Sequence, residues 1–299
     1  MTRCVCVVAI AAFLGGLACI LWSEILVHHR HRRRPFPIDA HKNNTPAECC
    51  WVDLRIEWQL REAPKLCARC TTNDALSNVL RAEGKWHDCD DLLVLLRGHP
   101  PEGGGLFVDV GANLGYFSLM AAAMGCRVIA FEPMERNVAR FLASIARNRA
   151  AITLYQNAVA HQAGRVVALR PTHAATNYGN GQIITSGEES TEDATTVRLD
   201  DVGITGTIDL LKIDVEGFEL SVLDGARRLL CAGAIRRVVL EWSDATRANP
   251  ECPAREGLRR LVAVGYTLSD IVPDAPPLSP DDPLLPPNLL LTLRTPSCI

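Results

Sequence analysis

The sequence predicts an α/β protein built on a doubly wound, mostly parallel sheet of seven strands, preceded by an N-terminal transmembrane helix. From residue 106 onward, short apolar runs alternate with stretches of helical periodicity, which is the pattern of strands joined by crossover helices. Apolar residues make up 48% of the chain and charged residues 22%, so a large core can be buried. A run without charges from Cys4 to Ser23 supplies the membrane helix.

Residues 1–27 are predicted to be a signal-anchor, because about twenty uncharged helical residues span ~30 Å, the thickness of a bilayer core. A cleaved signal peptide and a buried core helix are the alternatives. Residues 28–48 form a predicted stem, in which arginines and histidines are followed by prolines and polar residues. Residues 49–100 form a cysteine-rich lead-in, predicted to be helical, and residues 101–299 form the main domain.

The lead-in concentrates five cysteines within about forty residues: Cys49, Cys50, Cys67, Cys70 and Cys89. Cys67 and Cys70 have the spacing of a metal knuckle, but no second pair follows at a finger-like distance. We therefore expect disulfides rather than zinc, which indicates an oxidising compartment.

Two opposing signals bear on which side of the membrane holds the main domain. The arginines after the apolar run outnumber Arg3 before it, and this bias would hold the main domain in the cytosol. The cysteines and a glycosylation pattern at Asn43 favour the lumen. We expect a single-pass membrane protein of the secretory pathway, in the Golgi or endoplasmic reticulum, with a lumenal main domain.

The elements of the main domain follow from periodicity. Apolar runs predict strands at 106–110, 127–131, 152–155, 208–213, 237–240, 266–271 and 288–293, and helical spacing predicts helices at 116–124, after Pro133 and at 218–230. The last two strands are expected to form a hairpin antiparallel to the rest. Residues 172–196 have no period and predict a loop, either a lid or a disordered segment.

A glycine-rich turn follows the first strand of this domain, in the sequence Asp109-Val110-Gly111-Ala112-Asn113-Leu114-Gly115. Glycines at such a turn let the backbone approach a ligand closely, at the edge of the sheet where ligands bind. Two of the three glycines of a dinucleotide fingerprint are replaced here, which argues against nicotinamide cofactors. Glu132 ends the second strand, 23 residues after Asp109, where a carboxylate can accept the hydroxyls of a ribose.

A second group of charges lies at the end of the strand 208–213. Side chains alternate along a strand, so Lys212, Asp214 and Glu216 are expected on one face. Three charges on a central strand are costly unless they pair or line a wet cavity, so they indicate either a site or a structural ion-pair network.

These motifs, DVGANLGYFSL, AFEP and LLKIDVEGFELSVLDGA with a later VVLEW, resemble the FkbM family of methyltransferases over residues 106–243. The resemblance implies a class I methyltransferase, Rossmann-like fold, S-adenosylmethionine as methyl donor and O-methylation of a sugar or related hydroxyl compound. It also implies donor-binding roles. Asp109, Gly111, Asn113 and Gly115 would hold the methionine part, Glu132 the ribose and Asn157 the adenine.

Methyl transfer to a hydroxyl gains from a base within hydrogen-bond reach. Asp214 and Glu216 are the candidates, with Lys212 orienting them, and His161 and His173 are weaker candidates. Asp214 could instead belong to a divalent metal site, but no second acidic cluster is readable, so we expect no metal.

The predicted function is therefore a membrane-anchored methyltransferase with a small-molecule or glycan acceptor. The net charge of −3 gives no reason to expect nucleic acid as a partner. Two alternatives are a Rossmann-type NAD-dependent oxidoreductase or epimerase, and a non-catalytic membrane-anchored binding protein on the same fold.

Overall fold

A computed structural model describes residues 37–38, 48–55, 63–70, 74–86, 92, 94–95, 105–171, 181–184, 192–248 and 254–294. The predicted signal-anchor, most of the stem and Cys89 lie outside these residues. Within the described ranges, none of the helices combines the length and the apolar character that crossing a bilayer requires.

The described elements alternate strand and helix through the main domain. The strands are β1 Cys50–Asp53, β2 Lys65–Ala68, β3 Leu106–Val110, β4 Arg127–Phe131, β5 Ile152–Tyr155, β6 Ala158–Val159, β7 Val166–Pro171, β8 Gly181–Ile184, β9 Glu192–Val197, β10 Leu210–Ile213, β11 Arg237–Glu241, β12 Tyr266–Asp270 and β13 Asn288–Leu293. The helices are α1 Ala75–Glu83, α2 Tyr116–Ala123, α3 Glu135–Asn148, α4 Glu219–Gly225, α5 Arg227–Cys231, α6 Asp244–Ala248 and α7 Ala254–Ala263.

The central sheet has seven strands in the order β12-β13-β11-β10-β3-β4-β5. Strands β5, β4, β3, β10 and β11 pair in parallel, which confirms the doubly wound prediction. The expected antiparallel hairpin at the end of the chain is wrong in one strand. Only β13 is reversed, because it pairs antiparallel with both β11 and β12 and separates them. The chain winds outward from β3 in one direction and from β10 in the other, so these neighbours form the topological switch point.

Both faces of the sheet are buried. Along β3, Leu106, Val108 and Val110 face one apolar core, while Phe107 belongs to the other. Successive side chains of a strand point to opposite faces, and a parallel sheet covered by helices needs apolar residues on both. Asp109 shares the face of Phe107 and is completely buried, which makes it an exception that requires a partner.

The lead-in is helical only in part, because it begins with the antiparallel hairpin of β1 and β2. Disulfides Cys49–Cys67 and Cys50–Cys70 tie this hairpin together, which confirms the expected bridging of four of the five cysteines. The hairpin packs on α3, where the backbone N–H of Cys67 donates to Ser144 Oγ at 2.8 Å. Helix α1 follows, and the Asp74 carboxylate caps it by accepting from Ser77 N at 3.1 Å.

The predicted loop at 172–196 is wrong at two places. Strands β8 and β9 pair on either side of β7, and β6 completes a second sheet in the order β6-β9-β7-β8. Strand β9 has only two apolar residues, Ala194 and Val197, so it lacks the apolar run that marks a buried strand, and main-chain pairing with β7 decides its conformation. The rest of the predicted loop lies outside the described residues.

Candidate functional site

The glycine turn connects β3 to α2 at the switch point. Gly111 has φ +83°, and a Cβ there would lie 1.8 Å from the carbonyl oxygen of Asp214, so only glycine fits between the two backbones. The N–H groups of Gly111 and Ala112 both donate to Phe131 O at 3.0 Å, which ties the turn to the end of β4. Asn113 also has a positive φ, +52°, a conformation that asparagine tolerates better than most residues.

Two residues of the motif, Gly115 and Asp109, support the turn without lining the cleft. Gly115 has φ +83°, and a Cβ there would lie 2.1 Å from the ring of Phe141. The Asp109 carboxylate accepts from Ser118 Oγ at 2.7 Å and lies 3.7 Å from Lys212 Nζ. Burial raises the pKa of the Asp109 carboxyl, and the Lys212 charge and the Ser118 hydrogen bond partly offset that rise. Neither Asp109 nor Gly115 lines the cleft in front of the turn, so their contact with a donor stays a prediction.

Glu132 lies at the end of β4 and directs a buried carboxylate at the turn. Its Oε2 accepts from Asn113 N at 2.8 Å, while Oε1 accepts from Met134 N at 3.1 Å and from Asn137 Nδ2 at 3.0 Å. Glu132 is 4% exposed, and this burial raises its pKa to about 7 despite the three hydrogen bonds. A carboxylate held by fixed N–H groups keeps lone pairs for the hydroxyls of a ligand.

A cleft at the carboxyl edge of the sheet brings most of the predicted site residues together. Its lining includes Gly111, Asn113, Glu132, Asn157, Asp214 and Glu216, together with Leu169 and Ile183 from the second sheet. The amide of Asn157 donates to Thr195 O at 3.0 Å, so β9 holds this side chain in place. The second sheet therefore forms one wall of the cleft, and Ile183 in this wall comes from the predicted loop.

Lys212 on β10 and Asp214 just after it lie together as the sequence predicted, although the strand ends at Ile213. Lys212 Nζ donates to Asp214 Oδ2 at 3.0 Å and is itself buried, outside the cleft. Glu216, whose backbone has φ +55°, lines the cleft together with Asp214. Burial would raise the pKa of the Asp214 carboxyl, but the Lys212 ammonium and hydrogen bonds from Lys212 and Glu241 hold it below its usual value.

Glu241 completes this group, and the sequence interpretation missed it. Carboxylate oxygens of Asp214, Glu216 and Glu241 lie within 4.8 Å of one another. The Asp214 charge, then burial, raise the pKa of Glu241 to about 10, so its carboxyl keeps a proton with which it can hydrogen-bond to Asp214. Because the Lys212 ammonium and this proton already satisfy the Asp214 carboxylate, we base no metal site on the cluster. The signal for Glu241 was a glutamate at the end of β11, the strand beside β10.

The remaining candidates lie apart from the cleft or outside the described residues. His161 Nδ1 lies 2.9 Å from Ser221 Oγ, and His161 does not line the cleft. His173 is not among the described residues. Glu219, which the sequence interpretation did not single out, is fully buried and accepts from Gly217 N at 3.1 Å, so it fixes the turn that carries Glu216.

A parallel sheet with one reversed strand near its edge, a glycine turn after β3 and an acidic residue ending β4 define a class I methyltransferase fold. The family description "Methyltransferase FkbM domain" matches residues 109–262, which are 154 of the 299 residues. The chain therefore belongs to the FkbM methyltransferase family and is a methyltransferase. A search of curated protein sequences gave no match.

Several solved structures are similar to this chain. An rRNA methylase from Streptococcus thermophilus shares 12% identity over 67% of this chain and 92% of its own, with a TM-score of 0.37. A methyltransferase from Pyrococcus furiosus shares 15% identity over 73% and 93%, with a TM-score of 0.36. A TehB-like SAM-dependent methyltransferase from Corynebacterium glutamicum shares 12% identity over 73% and 94%, with a TM-score of 0.39. The assignment to the family rests on the match of residues 109–262.

Proposed function

We propose that the cleft binds S-adenosylmethionine and that the protein transfers its methyl group to a hydroxyl of a sugar, a glycan or a related compound. The observation that carries the proposal is the Glu132 carboxylate, which is buried, held by three N–H donors and adjacent to a glycine turn. A ribose offers two neighbouring hydroxyls, and such a carboxylate can accept hydrogen bonds from both. The other lining residues fit the rest of the donor, with Gly111 and Asn113 near the methionine part and Asn157 near the adenine.

The donor supplies a methyl group already activated on a sulfonium, so the protein mainly has to orient the acceptor and exclude water. Asp214 lines the cleft and carries a charge at neutral pH, so it can accept a hydrogen bond from an acceptor hydroxyl. Its lowered pKa makes it a poor base toward a free hydroxyl. Asp214 can still take the hydroxyl proton as the oxygen is methylated. An oxygen that carries both its proton and a new methyl group is a far stronger acid than the free hydroxyl.

Donor binding is tested by calorimetry on the full-length protein with S-adenosylhomocysteine, the demethylated product. Glu132→Gln removes the charged acceptor and should weaken binding by about 1.5–3 kcal/mol, which is roughly ten- to a hundredfold. Glu135→Gln is the matched control, because Glu135 is exposed and lies three residues further on. Stabilisation by NAD without stabilisation by S-adenosylhomocysteine would contradict the donor assignment, and an unchanged affinity in Glu132→Gln would remove Glu132 from the site.

The acceptor is tested separately. Cells and extracts supplied with donor carrying an isotopically labelled methyl group, with and without the protein, should differ in labelled hydroxyl compounds or glycans. Label on nitrogen alone would overturn the hydroxyl assignment. A protein that binds the donor but transfers no label would be the non-catalytic binding protein that the sequence left as an alternative.

We also propose that the protein is anchored in a membrane of the secretory pathway with its main domain in the lumen. The uncharged run from Cys4 to Ser23 and the bridged cysteines of the hairpin support this. Protease added to sealed membrane vesicles should then leave the main domain intact until detergent is present. Digestion without detergent would place the domain in the cytosol, as the arginines after the run suggest.

A further inference from the structure

A buried arginine of the cysteine-rich hairpin region reaches toward the candidate donor site. Arg69 is 5% exposed, and its guanidinium donates to the side-chain oxygen of Asn137 at 2.5 Å. Its Nε lies 3.9 Å from the carboxylate of Asp74, which is fully buried. Arg69 lies outside the family-matched residues 109–262, whereas Asn137 lies within them. A contact therefore joins the lead-in to the methyltransferase domain beneath the cleft.

The position of Arg69 is fixed by the disulfides of the hairpin and by α1. Cys67 and Cys70, on either side of Arg69, are each bonded to a cysteine before β1 or at its start. The N–H of Arg69 donates to Ser77 Oγ at 2.9 Å, which ties it to α1. The backbone at Arg69 therefore has little freedom, and the guanidinium approaches Asn137 from a defined direction.

Asn137 passes this constraint on to Glu132. Its side-chain oxygen accepts from Arg69, and its Nδ2 donates to Glu132 Oε1 at 3.0 Å, while Asn137 itself is 1% exposed. A flipped amide would place its oxygen against the carboxylate and its N–H₂ against the guanidinium, so one orientation satisfies both ends. The other two donors to Glu132 are backbone N–H groups of Asn113 and Met134. Asn137 is the side-chain donor to Glu132, so its amide is the one that can rotate out of its hydrogen bond.

We propose that Arg69 is a positioning residue of the donor site, which orients Asn137 and through it holds Glu132 ready for the ribose hydroxyls. The cysteine-rich segment is then a working part of the methyl-donor pocket, although it lies outside the family domain. This inference rests on the proposed function, because it takes Glu132 as the residue that binds the donor.

The test uses the full-length protein, S-adenosylhomocysteine as the probe and calorimetry between pH 6 and 8.5. Arg69→Met alone would remove a cation from beside the buried Asp74 carboxylate, so the variant is the double Arg69→Met/Asp74→Asn. Asparagine caps a helix as well as aspartate does, and Asp74→Asn alone is the matched control. Arg81→Met is a second control, since Arg81 donates to Cys70 O at 3.1 Å in the same segment but is exposed.

The double variant should bind the probe about tenfold more weakly than Asp74→Asn, which corresponds to about 1.4 kcal/mol. The pH dependence of its affinity for the probe should shift as well. The Asn137 hydrogen bond is one of the contacts that lower the pKa of Glu132, so its loss moves the midpoint of the affinity upward from about 7. The Met134 and Asn113 donors, which lower the pKa of Glu132, and the like charge of Glu192, which raises it, remain unchanged in both proteins.

An unchanged affinity and midpoint in the double variant would overturn the inference. So would a weaker affinity that comes with a lower melting temperature and no shift in midpoint, because that result means general loosening. If the double variant does not fold, Arg69→Lys keeps the charge beside Asp74 without the planar fork and should show the same upward shift in smaller measure. Failure of both wild type and Asp74→Asn to bind the probe would instead overturn the proposed function.

Discussion

Substitution of Gly111 by alanine should damage the protein more than any substitution that only strains the backbone. At φ +83° an L-residue costs about 1–2 kcal/mol. The added Cβ would also lie 1.8 Å from Asp214 O, where ordinary contact begins at 3.4 Å, so the two backbones must separate by 1.6 Å (3.4 − 1.8). Forced overpacking of this kind typically costs a further 1–3 kcal/mol or more. We therefore expect Gly111→Ala to lose about 2–5 kcal/mol of unfolding free energy.

The chain offers a matched control for this substitution. Gly206 has the same φ, +83°, and a Cβ there would meet nothing within 4 Å. Gly206→Ala should therefore lose only the backbone part, about 1–2 kcal/mol. Urea unfolding followed by circular dichroism gives both values under the same conditions.

The same pair separates stability from binding. The separation of Gly111 from Asp214 would displace Asn113, whose N–H donates to Glu132 at 2.8 Å, so the affinity for S-adenosylhomocysteine should also fall. Gly206→Ala should leave that affinity unchanged. Equal losses of stability in the two variants would show that the close approach at Gly111 is not rigid, and the reasoning would then be wrong.

Three further predictions follow from the charges and cysteines. Because burial raises the pKa of Glu132 from 4.5 to about 7, its contribution to stability is complete below 4.5 and is lost as the pH rises through about 7; Glu132→Gln should remove that part of the slope in pH-dependent melts. Asp214→Asn should lower transfer of labelled methyl groups by about a hundredfold or more with little change in donor affinity, and a fully active, stable variant would exclude Asp214 from catalysis. Alkylation before reduction, followed by peptide mass spectrometry, should find Cys49 joined to Cys67 and Cys50 to Cys70, and free thiols at all four would contradict the oxidising compartment.

The sequence predicted the seven-stranded sheet and its ligand edge because those signals are local. Apolar runs mark β3, β4 and β10, and parallel strands bring their carboxyl ends to one edge, so Gly111, Glu132 and Asp214 could be placed together before any coordinates. The direction of β12 could not be read in this way, because the sequence predicted both β12 and β13 to be reversed and only β13 is. The direction of β12 depends on the insertion of β13 between β11 and β12, and apolar periodicity carries no information about such pairing.

What the sequence did not reveal depends on partners far along the chain. Strand β9 has few apolar residues, and its conformation comes from pairing with β7. Glu241 takes its raised pKa from Asp214, which is brought beside it only when β10 and β11 pair. The contact of Arg69 with Asn137 joins residues 68 positions apart, and the Cys67–Cys70 spacing around Arg69 carries no information about Asn137.

The reactivity of Cys126 can report transient opening of the central sheet. It is a buried free thiol immediately before β4, and burial, aided by the charge of Asp209, raises its pKa. Thiol reagents attack the thiolate, so Cys126 should react only in molecules whose sheet has transiently opened. The rate of its modification, followed on its own peptide, therefore measures how often the centre of the sheet is exposed. A ligand bound at the switch point would slow that rate in proportion to its occupancy, which allows binding to be read without knowing the acceptor.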